Sequence, residues 1–339
     1  MNILEKVINR FELGRDLKAR DAEPFLDELI GTADEGVLDR VLRSWDRKGI
    51  SSDEIYEIAR VMDERCTKVS SDHETLIDIV GTGGSRSKTF NVSTAAAFVI
   101  AGAGVTVAKH GNRAATSNSG SADVLAELGV DPAVDAATAE RCLREIGMCF
   151  MFAPNFHRLS PTLASVRRGL GFPTIFNCVG PLCNPAQAPH RLIGVWNIDL
   201  VPKVAEALSR LGTSRSWIVH GYDGADEISS RGPTCVAEVV NDAVREFVIS
   251  PEDFGIDAEP TESERVSSPE QSGRLIRDIL AGDRCETREE RSVLINAAAG
   301  IYLSGTAESL ENAFDIATQS IRSNRAMEKL HQLAEATNR

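Results

Sequence analysis

Chemistry-bearing residues gather in five short stretches of the chain. Gly81-Thr82-Gly83-Gly84 follows the apolar run Leu76-Ile77-Asp78-Ile79-Val80 directly. Glycines lack Cβ atoms, so such a turn can aim backbone N–H groups at an anion. The stretch is neither a G-x-G-x-x-G fingerprint nor a Walker loop. Thr89, Asn91, Ser93 and Thr94 then crowd ahead of an alanine-rich segment. Ser93 or Thr94 can cap that helix, whose N-terminus favours negative charge. Capping needs one hydroxyl and leaves the others to be explained. Lys109-His110-Gly111-Asn112-Arg113 follows a second apolar run and continues through Ser121 with four hydroxyl residues. A loop of this kind can surround a phosphate. Ser165-Val166-Arg167-Arg168 reads as helical behind Ser160 and Pro161. Adjacent arginines on a helix diverge, so one can face inward to a carboxylate while the other stays at the surface. Finally, Asp226-Glu227 closes a turn behind a further apolar run, and paired carboxylates suit a hard cation such as Mg²⁺.

Each stretch has a bland counterpart: a glycine turn, a capped helix, a solvated loop, surface charges. Together they place an anion cradle, a hydroxyl-rich helix start, a cationic loop and an acid pair at successive strand ends. That set suits a diphosphate held with Mg²⁺. It reads as a Mg²⁺-dependent enzyme of a phosphorylated or pyrophosphorylated substrate, and it leaves the acceptor unnamed.

The elements that must position these residues fall into two textures. Residues 3–70 read as helices alone, with helical stripes at Ile3, Leu4, Val7, Ile8 and Phe11, at Phe25, Leu26, Leu29 and Ile30, and at Val37, Leu38, Val41, Leu42 and Trp45. Ser51 and Glu54 form a capping box for a fourth helix. From Leu76 the pattern alternates. Strands are expected at 76–80, 105–108, 150–152, 192–196 and 216–219, and helices at 95–103 and 122–128. Such alternation predicts an α/β fold with a mostly parallel central sheet, whose ligands bind beyond the carboxyl ends of the strands. The chain from about Pro269 reads as helical and offers no legible chemistry. Domains are expected at 1–73, completed by about 161–188, and at 74–160 with 189–339.

The chain has 339 residues, 42% of them apolar, and a formal net charge of −13. That charge argues against nucleic acid as a partner. No run is long and apolar enough to span a bilayer, and residues 1–15 lack a signal-peptide core; a cytoplasmic protein with no membrane partner is expected. The seven cysteines show no C-x-x-C pair, which suggests neither a zinc site nor a disulfide framework.

The ordered series Gly81–Gly84, Thr89–Thr94, Lys109–Arg113, Ser119–Leu125, Thr174–Asn177, Gly180–Leu182 and Asp223–Glu227 resembles the motif series of anthranilate phosphoribosyltransferases along nearly the whole chain. The resemblance implies a nucleoside-phosphorylase-like phosphoribosyltransferase fold with a small N-terminal helical domain. It also implies a homodimer formed through that domain and a Mg²⁺-dependent transfer from phosphoribosyl pyrophosphate to the anthranilate amine. The implied catalytic residues are Lys109, Asp226 and Glu227. The implied substrate-binding residues are Gly81, Gly84, Ser85, Thr89, Asn91, Val92, Ser93, Thr94, Lys109, His110, Gly111, Asn112, Arg113, Ser117, Ser121 and Arg167. Asn112 and Arg167 would hold anthranilate, with His110 and a Gly180-Pro181 turn nearby and Arg168 left at the surface. Ser93, Asp226 and Glu227 would hold Mg²⁺. The loops at 81–84 and 114–120 are expected to close over substrate. A relative using another aromatic acceptor, or a non-catalytic binding relative, is the alternative.

Two residues depart from the family pattern: Ser85 stands where Asp is usual, and Asn118 where Lys is usual. Arg86 or Lys88 can compensate by charge. A Ser85→Asp variant is expected to shift the dependence on phosphoribosyl pyrophosphate or Mg²⁺ in steady-state kinetics. Unaltered kinetics would count against a role for Ser85.

Overall fold

The computed structural model describes residues 2–84, 90–114, 119–258 and 266–339. Of the expected site residues, Ser85, Thr89 and Ser117 lie outside the described residues, as do Arg86, Lys88 and Asn118.

The N-terminal stripes form four helices: α1 (Ile3–Glu12), α2 (Ala19–Gly31), α3 (Glu35–Lys48) and α4 (Ser52–Arg65). The capping box at α4 is present, and Glu54 does more than cap. Its buried carboxylate also accepts from Trp45 Nε1 at 3.0 Å, Lys48 Nζ at 2.8 Å and Leu17 N at 2.9 Å. One acid thus ties three segments of the bundle around the packed rings of Phe11, Phe25 and Trp45.

The alternating texture then yields β1 (Leu76–Gly81), α5 (Val92–Gly102), β2 (Thr106–Gly111), α6 (Ser121–Glu127), α7 (Ala136–Ile146) and β3 (Met148–Phe152). The short α8 (Ala153–Phe156) leads to α9 (Pro161–Gly169) and α10 (Ile175–Leu182). β4 (His190–Gly194), α11 (Leu200–Leu211), β5 (Arg215–Gly221), β6 (Thr234–Val240) and β7 (Ala243–Ile249) follow. After a 3₁₀ turn at Pro251–Phe254 the chain ends in α12 (Pro269–Leu280), α13 (Arg288–Leu303), α14 (Leu310–Arg322) and α15 (Arg325–Thr337).

Among the described residues the strands form one sheet in the order β3-β2-β1-β4-β5-β6-β7. β1 to β5 are parallel, while β6 and β7 are antiparallel additions. The expected α/β architecture is therefore present. The chain runs outward from β1 to β3, then returns to the other side of β1 with β4. Sheet order reverses between β1 and β4, and a crevice opens there at the strand ends. The register pairs Gly81 with Gly194 at that point.

The core covers both sheet faces. On one, α5 and α12–α15 pack over the strands; α5 is buried nearly all round, which its alanines permit. On the other, α1–α4, α9, α10 and α11 share a single apolar core with β4–β6.

Four details differ from the sequence expectation. The hairpin β6–β7 was not expected: β7 is mostly exposed and alternates weakly. Its clearest signal is Asn241-Asp242 between two valine-rich runs, with Asn241 at φ 54°. The fourth strand is His190–Gly194, earlier than expected. The cap of α5 is Asn91, so Ser93 and Thr94 sit inside its first turn. Gly180-Pro181 is the last turn of α10 rather than a free turn.

A buried polar cluster joins the sheet to the loop behind α10. Asp78 on β1 is fully buried; its Oδ1 accepts from His110 N at 3.1 Å and its Oδ2 from Asn184 Nδ2 at 2.7 Å. Asn184 Nδ2 also donates to Ala108 O at 2.8 Å, while Arg191 donates to Leu182 O and Ala188 O. Asn184→Ala leaves a buried carboxylate short of a donor, and the expected cost is about 3 kcal/mol. Urea denaturation checks this, and a loss below about 1 kcal/mol would contradict the cluster's importance.

Candidate active site

One cavity of about 460 Å³ opens at the β1/β4 reversal. Its floor is the glycine turn. Thr82 N donates to Gly194 O at 2.8 Å, which carries the β1–β4 ladder past the last strand residue. Gly83, at φ 69°, donates its N–H to Asp226 Oδ2 at 2.9 Å. The glycines are needed because the acid loop lies directly on them. A Cβ on Gly81 would stand 2.7 Å from Asp226 Oδ2, and one on Gly194 would stand 1.7 Å from Asp226 O.

The acid pair is braced on both sides. Asp223 accepts from Ala225 N, Ser229 Oγ and Arg231 Nε, and these bonds lower its pKa despite burial. Behind Glu227, Asn296 of α13 clamps the next peptide: its Oδ1 accepts from Ile228 N at 3.0 Å and its Nδ2 donates to Ile228 O at 2.9 Å. Asp226 and Glu227 line the cavity.

One wall is the start of α5, where Asn91, Val92 and Ser93 face the cavity. Lys109 lies behind this wall. It is buried, donates from Nζ to Ile79 O, and reaches Ser93 Oγ at 3.4 Å. The opposite rim carries His110, Gly111, Asn112, Arg113, Ala114, Gly120 and Ser121. Asp123 holds that rim by accepting from both Ala114 N and Gly120 N at 3.0 Å.

A further wall is built from α9 and α10. Ser160 caps α9 and Pro161 starts it, as expected. Arg167 and Arg168 both line the cavity, Arg167 half-buried and Arg168 exposed. Arg167 Nη2 donates to Asn177 Oδ1 at 3.2 Å, its guanidinium lies 5.1 Å from the Phe176 ring centroid, and its Nε is buried without a partner. Burial pushes its pKa down to about 10, so it remains cationic at neutral pH. Asn177 Nδ2 donates in turn to Thr82 O at 2.9 Å, tying this arginine to the glycine floor.

His110 and His157 also line the cavity, their ring centroids 5.0 Å apart. His110 Nδ1–H donates to Gly180 O at 3.1 Å in the tautomer this contact requires. Burial holds His110 well below its ordinary pKa and brings His157 down to about 4. Both rings are neutral at physiological pH. They line the cavity as polar but uncharged groups.

Gly81, Asn91, Val92, Ser93, His110, Gly111, Asn112, Arg113, Ser121, Arg167, Asp226 and Glu227 are thus brought to one cavity. Three expected residues are not at its surface. Gly84 packs against Pro173, where a Cβ would meet Cγ at 2.4 Å. Thr94 is fully buried inside α5. Lys109 acts from behind Ser93. The sequence motifs include Thr82 and Asn177 without giving either an individual role, and they pass over His157 and Asn296. Asn296 had a legible signal, an amide inside the apolar run Leu294-Ile295-Asn296-Ala297. His157 had none, and the contacts of Thr82 and Asn177 depend on which segments meet.

A crevice with a glycine floor and an acid pair at the strand-order reversal places the candidate site where α/β enzymes bind their ligands, and residues 73–327 match the glycosyl transferase family, a/b domain. The relatives narrow this. The chain is 42% identical over 337 residues to an anthranilate phosphoribosyltransferase of Pelotomaculum thermopropionicum, covering 99% of this chain and 96% of that one. It is 38% identical to that of Aquifex aeolicus over the full length of both. The crystal structure of the Thermus thermophilus enzyme superposes with a TM-score of 0.89 at 35% identity, covering all of both chains. The Saccharomyces cerevisiae enzyme in complex with PRPP and Mg superposes with a TM-score of 0.87 at 27% identity, covering 99% and 98%. The chain belongs to the anthranilate phosphoribosyltransferase family.

Gly194→Ala should displace the acid loop, because the clash is with backbone. A fall in kcat/KM of at least about 10²-fold is expected, the scale of a misplaced catalytic group. Activity within a few-fold of the parent would show that Asp226 need not sit on the strand end.

Proposed function

We propose that this chain joins anthranilate to phosphoribosyl pyrophosphate with Mg²⁺ bound at Asp226 and Glu227. The observation that carries the reading is a single cavity lined both by the glycine turn with its acid pair and by the half-buried Arg167. The complexes of the yeast relative with PRPP and Mg, and with 4-fluoroanthranilate, support the same pairing of ligands.

In the reaction the amine nitrogen forms a bond to the anomeric carbon as that carbon's bond to pyrophosphate oxygen breaks. The electron pair leaves with pyrophosphate, and the amine gives up one proton. The aromatic amine is already nucleophilic, so the protein's task is placement and charge stabilisation. Gly83 is held by Asp226, and Asn91, Val92 and Ser93 form the adjoining helix start. This end would take the diphosphate. Asp226, Glu227 and Ser93 offer hard oxygen donors that fit Mg²⁺, which when bound would neutralise charge on the leaving group. Lys109 would set the orientation of Ser93 and lend positive charge from beneath. Arg167 would take the anthranilate carboxylate, and the neutral pair His110 and His157 adds no competing cation at the middle of the cavity. Asn112 and Arg113, both exposed at the rim, would meet ligands as they enter.

The domain reading joins this proposal. Residues 1–73 with 161–188 would form the homodimer surface, and Leu13 is a large apolar residue left 68% exposed there.

Arg167→Ala is expected to lower kcat/KM for anthranilate by about 10²-fold, the scale of a lost charge-assisted pair, with the KM for phosphoribosyl pyrophosphate unchanged. Loss of anthranilate fluorescence reads the reaction. In the parent, KM for anthranilate should be flat at neutral pH and climb as pH approaches about 10, because the guanidinium is charged below that value and neutral above it. Equal damage to both KM values would remove Arg167 from the acceptor end.

A further inference from the structure

The C-terminal helices reach the cleft through a hydroxyl that no motif contains. Ser272, on the first turns of α12, is fully buried. Its Oγ accepts from Asn91 N at 3.3 Å and donates to Asn91 Oδ1 at 3.1 Å. Asn91 Oδ1 also accepts from Ser119 Oγ at 2.6 Å, and Asn91 Nδ2 donates to Ser119 O at 3.4 Å. Asn91 is therefore gripped from two sides. Ser119 belongs to the rim that Asp123 holds at Gly120, immediately ahead of Ser121.

Two hydroxyls on one carbonyl oxygen fix which way the amide points. They also fix the N-cap residue of α5, whose side chain makes no cap bond of its own. Without Ser272 the Asn91 N–H is buried with no acceptor, and the amide keeps Ser119 as its anchor. The wall formed by Asn91, Val92 and Ser93 would then shift relative to the glycine floor. The arginine end, tied through Asn177 to Thr82, would not.

We propose that Ser272 is a positioning residue for the diphosphate end of the cleft: it acts through Asn91 to set the start of α5 and the rim at Ser119. The proposal rests on the reading of Asn91 as part of the phosphoribosyl pyrophosphate site.

The full-length chain is tested by steady-state kinetics with each substrate varied separately. Ser272→Ala is expected to raise KM for phosphoribosyl pyrophosphate about tenfold, the scale of one buried hydrogen bond, while KM for anthranilate stays unchanged. Ser119→Ala should act in the same direction. The double variant should lose less than the product of the two single effects, because both hydroxyls serve one oxygen. Asn91→Ala is the control for the underlying reading. If it raises KM for phosphoribosyl pyrophosphate and Ser272→Ala does not, the positioning role is wrong. Equal rises in both KM values for Ser272→Ala, with a lowered melting temperature, would make the residue structural only and would likewise overturn the proposal. If Asn91→Ala leaves KM untouched, the reading of Asn91 falls first and takes the proposal with it.

Discussion

The site depends on one buried carboxylate. Asp78 sits in the middle of β1 with no access to water, and it receives the backbone of β2 on one oxygen and Asn184 on the other. Burial raises its pKa, while Lys109, Asn184, His110 N and Arg191 pull in the opposite direction. The sign has a consequence for stability. A group whose folded pKa is raised holds its proton more tightly when folded, so its contribution is full below the ordinary carboxylate range and is lost as pH rises through the folded value. Ionising Asp78 in this buried place costs stability, and its donors and nearby cations offset that cost. In return β1, β2 and the 182–188 segment are locked in one arrangement. The glycine turn at the end of β1, the Lys109–Arg113 segment at the end of β2, and the Gly180 carbonyl beneath His110 all take their places from it.

That lock explains why the glycines are where they are. With β1 and β4 fixed in register, the space above Gly81 and Gly194 has a set height, and the Asp226 peptide fills it. Side chains at either glycine would lift the acid pair away from the helix start that faces it. Asn296 presses from the opposite side by holding Ile228 at both its N–H and its carbonyl. Packing and backbone bonds thus set where the acids stand.

Much of this was legible in the sequence. The helical N-terminal stripes, the capping box at Ser51 and Glu54 and the strands that precede the glycine turn, the Lys109 segment and the acid pair all follow from local periodicity. That Arg167 and Arg168 diverge follows from side-chain direction, while the choice of Arg167 as the inward one came from the family resemblance. The glycine turn, the acid pair and the α5 wall were each found by residue type. What was not legible is non-local. Lys109 looks like a loop cation in the sequence, yet it is the last part of a buried strand and points beneath the wall. Thr94 looks like a ligand hydroxyl, yet it is carried inside α5 because the cap is one turn earlier, at Asn91. The hairpin β6–β7 adds an edge whose exposed face gives little hydrophobic signal. Asn177, Asn296 and Ser272 matter only because distant segments meet at them, and no spacing rule marks such a meeting.

The charge layout carries the last step. The chain as a whole is strongly acidic, with a net charge of −13, while both substrates are anions. Long-range attraction cannot be what recruits them, so binding must rest on short-range fields inside a cleft of low dielectric. There the two ends are solved differently. In the proposed reading the acceptor end would present the half-buried Arg167 guanidinium to a carboxylate. The diphosphate end presents Asp226 and Glu227, which would repel a diphosphate unless a cation stood between them. On this reading the acids make metal and diphosphate binding mutually dependent: each supplies charge that the other needs. Reciprocity follows from thermodynamics, since whatever Mg²⁺ adds to the affinity for the diphosphate, the diphosphate adds to the affinity for Mg²⁺. The acidic pair would then act as a discriminator, because an anion that cannot share a metal would gain nothing at that end of the cleft.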